Sequence, residues 1–205
     1  REERTREPKD DLVTTLVESR FEGEALSDYD FKNMFHVLVF AGNETTRTAI
    51  SNGIKAFVDN PDQLDALYAD PSLVDRAVEE IIRYATPVLH MRRTATRATE
   101  LAGVPIAEGD KVVMWYCSAN FDDTEFADPL RFDITREIKP PQVSFGAKGP
   151  HHCLGAPLAR MEIRILLEEM IARGIRFEQT GPIVRTRSNF VNGIAAFPVS
   201  VTATR

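Results

Sequence analysis

This chain is predicted to be mainly α-helical with a minor β portion, and three observations carry that prediction. Apolar residues recur at helical spacing through most of the first 86 positions. After Pro87 the pattern breaks into short strand-like runs between turns. A Gly-rich loop at 146–155 then leads into an amphipathic helix at 156–173, which Gly174 closes.

The elements follow in order. Residues 10–19 carry Leu12, Val13, Leu16 and Val17 at helical spacing, and 21–25, with Gly23, read as a turn. Ser27 suits an N-cap, with Asp28 and Asp30 favoured in the first turn. That helix is long, reaching residue 59, and Ala41-Gly42 interrupts it chemically. Pro61 starts a short helix through 68, Pro71-Ser72 opens another, and Pro87 ends it near Thr86. Strands are expected at 93–98, 103–106 and 112–114, with a turn at Glu108-Gly109-Asp110. Residues 121–141 are irregular, aromatic and acidic, and 175–177 and 197–201 finish as strands.

The 205 residues are 43% hydrophobic and 27% charged, enough for one sizeable core. Acidic side chains outnumber basic ones, 31 to 25, for a net charge of −6. That balance disfavours nucleic acid and anionic membranes, which need clustered basic surface. No apolar run approaches the ~18–20 residues that span a bilayer. The first ten residues are a charged, polar run rather than a signal peptide, so the expected location is cytoplasmic. Position 1 is not Met, which leads to the expectation that the polypeptide continues upstream. Two cysteines, Cys117 and Cys153, make no disulfide framework.

Chemistry concentrates in Phe145-Gly-Ala-Lys-Gly-Pro-His-His-Cys153-Leu-Gly155, directly before a helix. A thiolate at a helix N-terminus is stabilised by unpaired backbone N–H groups and the positive dipole end. Gly146, Gly149 and Gly155 let backbone approach a flat cofactor. A buried structural cysteine is the bland alternative. A zinc site from His151, His152 and Cys153 is disfavoured, because adjacent residues cannot easily wrap one tetrahedral ion.

Glu80 and Arg83 stand three apart, on one helix face, where a pair is natural and by itself weak. Ala41-Gly42-Asn43-Glu44-Thr45-Thr46 is poor helix interior, a local conflict that marks a functional site or a polar solvent-facing stretch.

These motifs together resemble the cytochrome P-450 family. The cysteine loop is similar to its ligand loop, in the order Phe-Gly, Gly, His, Cys, Gly, although the usual spacing puts the Phe one residue nearer the Cys. The resemblance spans residues 10–201 and covers about half of the family fold. It implies the C-terminal, haem-binding half over 1–205: long oxygen-groove helix, Glu-x-x-Arg helix, small sheets, meander, cysteine-ligand loop and helix.

What the resemblance implies can be placed residue by residue. Cys153 is the axial ligand of haem b (iron protoporphyrin IX). His151 and Arg93 reach its propionates, with Arg92 the competitor of Arg93. Phe145, Gly146 and Gly155 pack at the loop. Ala41 and Gly42 form the oxygen groove, with Glu44 as acid and Thr45 as alcohol supplying protons for O–O cleavage. Arg131 joins Glu80 and Arg83 in a buried structural triad. Val88, Leu89, Phe190 and Val191 contact substrate, and His90, Trp115 and Cys117 are packing residues.

The implied reaction is insertion of one oxygen atom from O2 into a C–H bond, with electrons from NAD(P)H through a ferredoxin reductase and a ferredoxin. Lys148, Arg160 and Arg164 would supply the ferredoxin's docking charge. Substrates resemble those of actinobacterial members acting on sterols, branched lipids or terpenes. A peroxide-dependent relative and a non-catalytic haem-binding or interaction module are the alternatives; Glu44-Thr45 argues against the first. Upstream family segments are not found in the chain, so it is expected to hold haem poorly alone and to associate with the missing half or another copy.

Overall fold

The structure is a computed structural model that describes residues 1–139, 141–146 and 149–204. Helices dominate, and the strands pair as small antiparallel two-stranded sheets. The chain divides into two compact units, Arg1–Glu44 and Thr45–Arg205.

The first unit opens with α1 (Glu2–Arg6), in the stretch expected to be only a charged run. Its charges explain the helix: Glu2 and Glu3 lie in the first turn, Arg4 and Arg6 in the last. Arg4 then binds Asp11 at 2.6 Å, and Asp11 caps α2 (Leu12–Glu18) by accepting from the Thr14 N–H at 2.8 Å. The turn at 21–25 is a tight hairpin, β1 (Arg20–Phe21) with β2 (Glu24–Ala25). Ser27 accepts from the Asp30 N–H at 3.1 Å, as an N-cap does. It opens α3 (Asp28–Asp59), which stays helical through Ala41, Gly42 and Thr45.

In the second unit, α3 meets α4 (Pro61–Ala69), a 3-10 turn (Pro71–Leu73), α5 (Val74–Ala85) and α7 (Ala156–Arg173). Ala49, Ala56 and Phe57 pack with Leu64, Leu67, Val78, Ile81, Ile82, Ile163, Leu167 and Met170. The irregular segment adds Phe132 and Ile134, Phe132 meeting Phe57 edge-on at 5.3 Å. Gly53 permits this packing, since a Cβ there would lie 2.8 Å from the Ile81 Cγ2.

The strands differ from expectation in register. β3 (His90–Thr94) starts three residues early, pairing with β6 (Lys111–Trp115) from His90↔Trp115 to Thr94↔Lys111. Ala95 then closes the turn instead of extending the strand, donating to Asp110 and accepting from Gly109. Inside that connection β5 (Val104–Ile106) falls on the strand expected at 103–106, and it pairs with β4 (Thr99–Leu101), which was not expected. After β6 come α6 (Tyr116–Ala119), the irregular segment and α7, which Gly174 ends in the left-handed conformation. β7 (Arg176–Gln179) pairs with β10 (Val199–Thr202), and β8 (Val184–Arg185) with β9 (Ile194–Ala196).

α7 is not the one-sided amphipathic helix that was expected. Ile163, Leu167 and Met170 are buried, but Leu158, Met161 and Ile165 stay half exposed. Their spacing lays a second apolar stripe beside the first. Among the described residues no helix is long and apolar enough to cross a membrane.

Gly53→Ala forces a β-branched neighbour to move and is expected to cost about 1–3 kcal/mol in a denaturant titration. Burial alone would raise the Asp133 carboxyl, but the Thr135 hydroxyl and amide, with Arg131 and Arg136, bring it below its ordinary value. The Thr124 hydroxyl and amide lower Asp122. Folded carboxylates of this kind bind protons less readily than unfolded ones. Their stabilisation is therefore present above the ordinary carboxylate range and lost as pH falls through the depressed values. Asp133→Ala should flatten that acid limb while lowering stability at neutral pH; an unchanged limb would contradict the assignment.

Candidate functional site

α5 organises the site. It carries Glu80 and Arg83, whose side chains are each only 2% exposed. Arg83 grips Glu80 with two parallel bonds, Nε to Oε2 at 2.7 Å and Nη2 to Oε1 at 2.8 Å. Arg83 Nη1 also donates to the Asn120 and Pro129 carbonyls, at 2.7 and 2.9 Å. Glu80 accepts further from the Asp133 N–H at 2.9 Å.

The expected triad is corrected in one member. The second arginine on Glu80 is Arg136, with Nε 3.2 Å from Oε2, and not Arg131. Phe132 and Ile134 point into the core, so Arg131 between the turns points outward. Arg131 contributes its backbone carbonyl instead, accepting from Arg83 at 3.3 Å and from Arg136 at 3.1 Å. A Glu80–Arg83 pair was natural from the spacing, and its burial was expected from the family resemblance. Arg136 was not, because a chain separation of 56 residues leaves no periodic trace.

A second polar cluster ties α5 to the cysteine loop. Fully buried Asn120 donates to Thr86 at 2.9 Å and Ser144 at 2.8 Å, and accepts from the Val143 N–H at 2.8 Å. Ser144 in turn donates to the Ile82 carbonyl at 3.0 Å. The loop then turns at Gly146, whose φ of 81° suits glycine. Cys153 N–H donates to the Phe145 carbonyl at 3.0 Å, and Ala156 N–H to the Cys153 carbonyl at 3.3 Å. Gly155 stands at the N-cap of α7 with no side-chain cap. A Cβ on Gly155 would lie 3.9 Å from the Cys153 sulfur. Ala147 and Lys148 lie outside the described residues.

Cys153 is thus an exposed thiol at an uncapped helix N-terminus, not a buried structural cysteine. Leu154 beside it is 86% exposed and apolar. One soft sulfur donor with an apolar flank fits an iron porphyrin, whose iron Cys153 would hold and whose ring the apolar flank would cover. Among the described residues, no group of three or more His, Cys, Asp or Glu could hold a bare metal ion. His151 is exposed, and His152 meets Phe145 edge-on at 6.5 Å.

The four residues expected against substrate are brought together. Val88 and Val191 form an antiparallel bridge, and Leu89 N–H donates to the Phe190 carbonyl at 2.9 Å. His90 packs between the Trp115 and Phe190 rings, at 4.7 and 5.9 Å. Asn52 of α3, which was not singled out, fixes this turn by donating to the Asn192 carbonyl at 2.9 Å. It accepts from Arg185 at 2.7 Å.

Other placements are more open. Arg93 is exposed on β3 and donates to the Arg92 carbonyl. Strand alternation puts Arg92, not Arg93, on the face of His90. Ala41 and Gly42 are exposed, and a Cβ on Gly42 would meet nothing within 4 Å. Glu44 and Thr45 are half-buried neighbours, Glu44 ending the first unit and Thr45 beginning the second. Of the three expected docking cations, Arg160 holds Glu79, Arg164 pairs with Asp75, and Lys148 lies outside the described residues.

A family model, Cytochrome P-450, matches residues 1–179. The methyl-branched lipid omega-hydroxylase of Mycobacterium tuberculosis is 46% identical over 192 residues, 93% of this chain and 45% of that protein. The steroid C26-monooxygenase of Rhodococcus jostii is 46% identical over 198 residues, 97% of this chain and 41% of that protein. A Mycobacterium marinum cytochrome P-450 solved with pseudoionone superposes with a TM-score of 0.91 at 42% identity, covering 97% of this chain and 48% of its own. The chain therefore spans less than half the length of these relatives.

Removing a partner of a buried ion pair costs more than the pair contributes, because the other charge stays behind. Glu80→Ala is accordingly expected to destabilise by about 3–5 kcal/mol, and Arg131→Ala by under ~1 kcal/mol, since at the Glu80 cluster Arg131 takes part through its backbone carbonyl. Arg136→Ala should fall between them in the same urea titration. A larger loss for Arg131→Ala than for Arg136→Ala would reverse the assignment.

Proposed function

The chain belongs to the cytochrome P-450 family, and on that premise we propose that it is the ligand-bearing portion of a haem-thiolate monooxygenase. The reaction is insertion of one oxygen atom from O2 into a C–H bond of a hydrophobic substrate. The observation that carries this reading is the exposed Cys153 thiol at the uncapped N-terminus of α7, its backbone N–H fixed to Phe145. Haem b, when bound, supplies the iron that activates oxygen.

This chain's own residues do the rest. Cys153 would hold the haem iron through its sulfur, at the start of α7. Phe145, Gly146 and Gly155 shape the loop around it. His151 and Arg93 offer cationic or polar contacts to the propionates, with Arg92 equally placed in sequence. Ala41 and Gly42 leave room at α3, while Glu44 holds a proton that the Thr45 hydroxyl passes on. Val88, Leu89, Phe190 and Val191 orient an apolar substrate and exclude water.

The names of the two relatives support a substrate of the steroid or branched-lipid kind. Electrons come from NAD(P)H through a ferredoxin reductase and ferredoxin. The chain spans under half the length of those relatives, so the activity proposed is that of the whole protein.

The deciding experiment is the carbon monoxide difference spectrum of the haem-reconstituted, dithionite-reduced chain. A thiolate-type Soret band that disappears in Cys153→Ala is the expected result. A band that survives the substitution would remove Cys153 as the ligand.

A further inference from the structure

Glu79 and Glu80 are adjacent on α5, so their side chains leave the helix about 100° apart. Glu80 turns into the Arg83–Arg136 cluster. Glu79 turns toward α7 and the cysteine loop, and it is only 15% exposed. There it receives two bonds from Arg160, from Nε to Oε1 and from Nη2 to Oε2 at 3.2 Å. Gln142 donates to the same carboxylate at 3.1 Å and accepts from the Ser144 N–H at 2.7 Å.

A carboxylate that takes two N–H groups of one guanidinium fixes that group's plane. Arg160 lies with its guanidinium carbon 4.5 Å from the centroid of the Phe145 ring. Phe145 packs against the core on one side, and its carbonyl accepts the Cys153 N–H at 3.0 Å. A continuous path therefore runs from Glu79 through Arg160 and Phe145 to the backbone of Cys153.

We infer that Arg160, held by Glu79, is a positioning residue for the metal-ligand loop: it clamps the Phe145 ring and so sets where Cys153 stands. The inference rests on the reading of Cys153 as the haem ligand. It also explains why Arg160 is poorly suited to meet a redox partner. Its charge is matched by Glu79, and its flat face is covered by Phe145.

Lysine could replace the charge but not the flat face or the two-pronged grip. That difference separates positioning from simple ion pairing. The experiment is residue-resolved amide hydrogen exchange on the full chain without haem. Arg160→Gln should speed exchange of the Cys153 amide about tenfold, the scale of losing one partly buried cation–ring contact. Amides of residues 166–170 in the middle of α7 should keep their protection. Arg160→Lys should restore the melting temperature while leaving the Cys153 amide fast. Phe145→Leu should speed that amide to a similar extent, and adding Arg160→Gln to it should change little more.

An unchanged Cys153 amide in Arg160→Gln would overturn the inference, as would uniform loss of protection along α7 or full additivity of the two substitutions. The ligand reading is tested separately by the Cys153→Ala spectrum. A surviving band would defeat that reading while the exchange result stood.

Discussion

The buried carboxylate of Glu80 is the constraint on which most of this structure depends. An ionised group with 2% exposure cannot be left to water, and it receives Arg83, Arg136 and the Asp133 N–H. Arg83 then has N–H groups left over, and these also need acceptors. They find the carbonyls of Asn120, Pro129 and Arg131, in a stretch with no regular secondary structure. A buried irregular backbone must satisfy its polar groups with side chains. One ion pair thus substitutes for the ladder that a strand or helix would have supplied. Among the described residues, no buried side-chain nitrogen or oxygen lacks a partner.

From the same helix the order passes outward to the chemistry. The C-terminal end of α5 holds Thr86 in a left-handed conformation, φ 35°, and the Thr86 hydroxyl joins the Arg83 carbonyl to Asn120. Asn120 reaches Ser144 and Val143, and so the entry to the cysteine loop. On the other side, Pro87 accepts from the Asn192 N–H at 3.0 Å, which seats the turn bearing Phe190 and Val191 against Val88 and Leu89. α5 is therefore the common support of the ligand loop and of the apolar residues proposed to meet substrate. A change that loosens α5 is felt at both, although none of its side chains needs to touch the reacting atoms.

The legible parts of the fold are those written in local chemistry. Ser27, Pro61, Pro87 and Gly174 marked helix ends because caps and prolines act within one turn. The cysteine loop was legible because glycines, a thiol and a helix start coincide within eleven residues. What escaped notice was set by partners far along the chain. Arg131 and Arg136 look alike in sequence. Only the inward side chains of Phe132 and Ile134 decide which of them turns back to Glu80. β4 escaped because three residues carry too little alternation to separate a strand from a turn. Asn52 and Arg160 are ordinary polar residues until a partner 140 or 81 positions away is placed beside them.

Charge on the α7 side follows the same logic. A sequence count offers Arg160 and Arg164 as free cations near the cysteine of an otherwise acidic chain. Folding joins them to Glu79 and Asp75, so each cation becomes half of a dipole whose field falls off faster than that of a single charge. Long-range attraction of an acidic partner is weak from such pairs. Their effect is local: Arg160 ties α7 to Glu79 of α5 beside the cysteine loop, while the exposed Arg164–Asp75 pair adds little. Of the two, Arg160 belongs by geometry to the frame beside the cysteine loop, and Arg164 stays at the surface with Asp75.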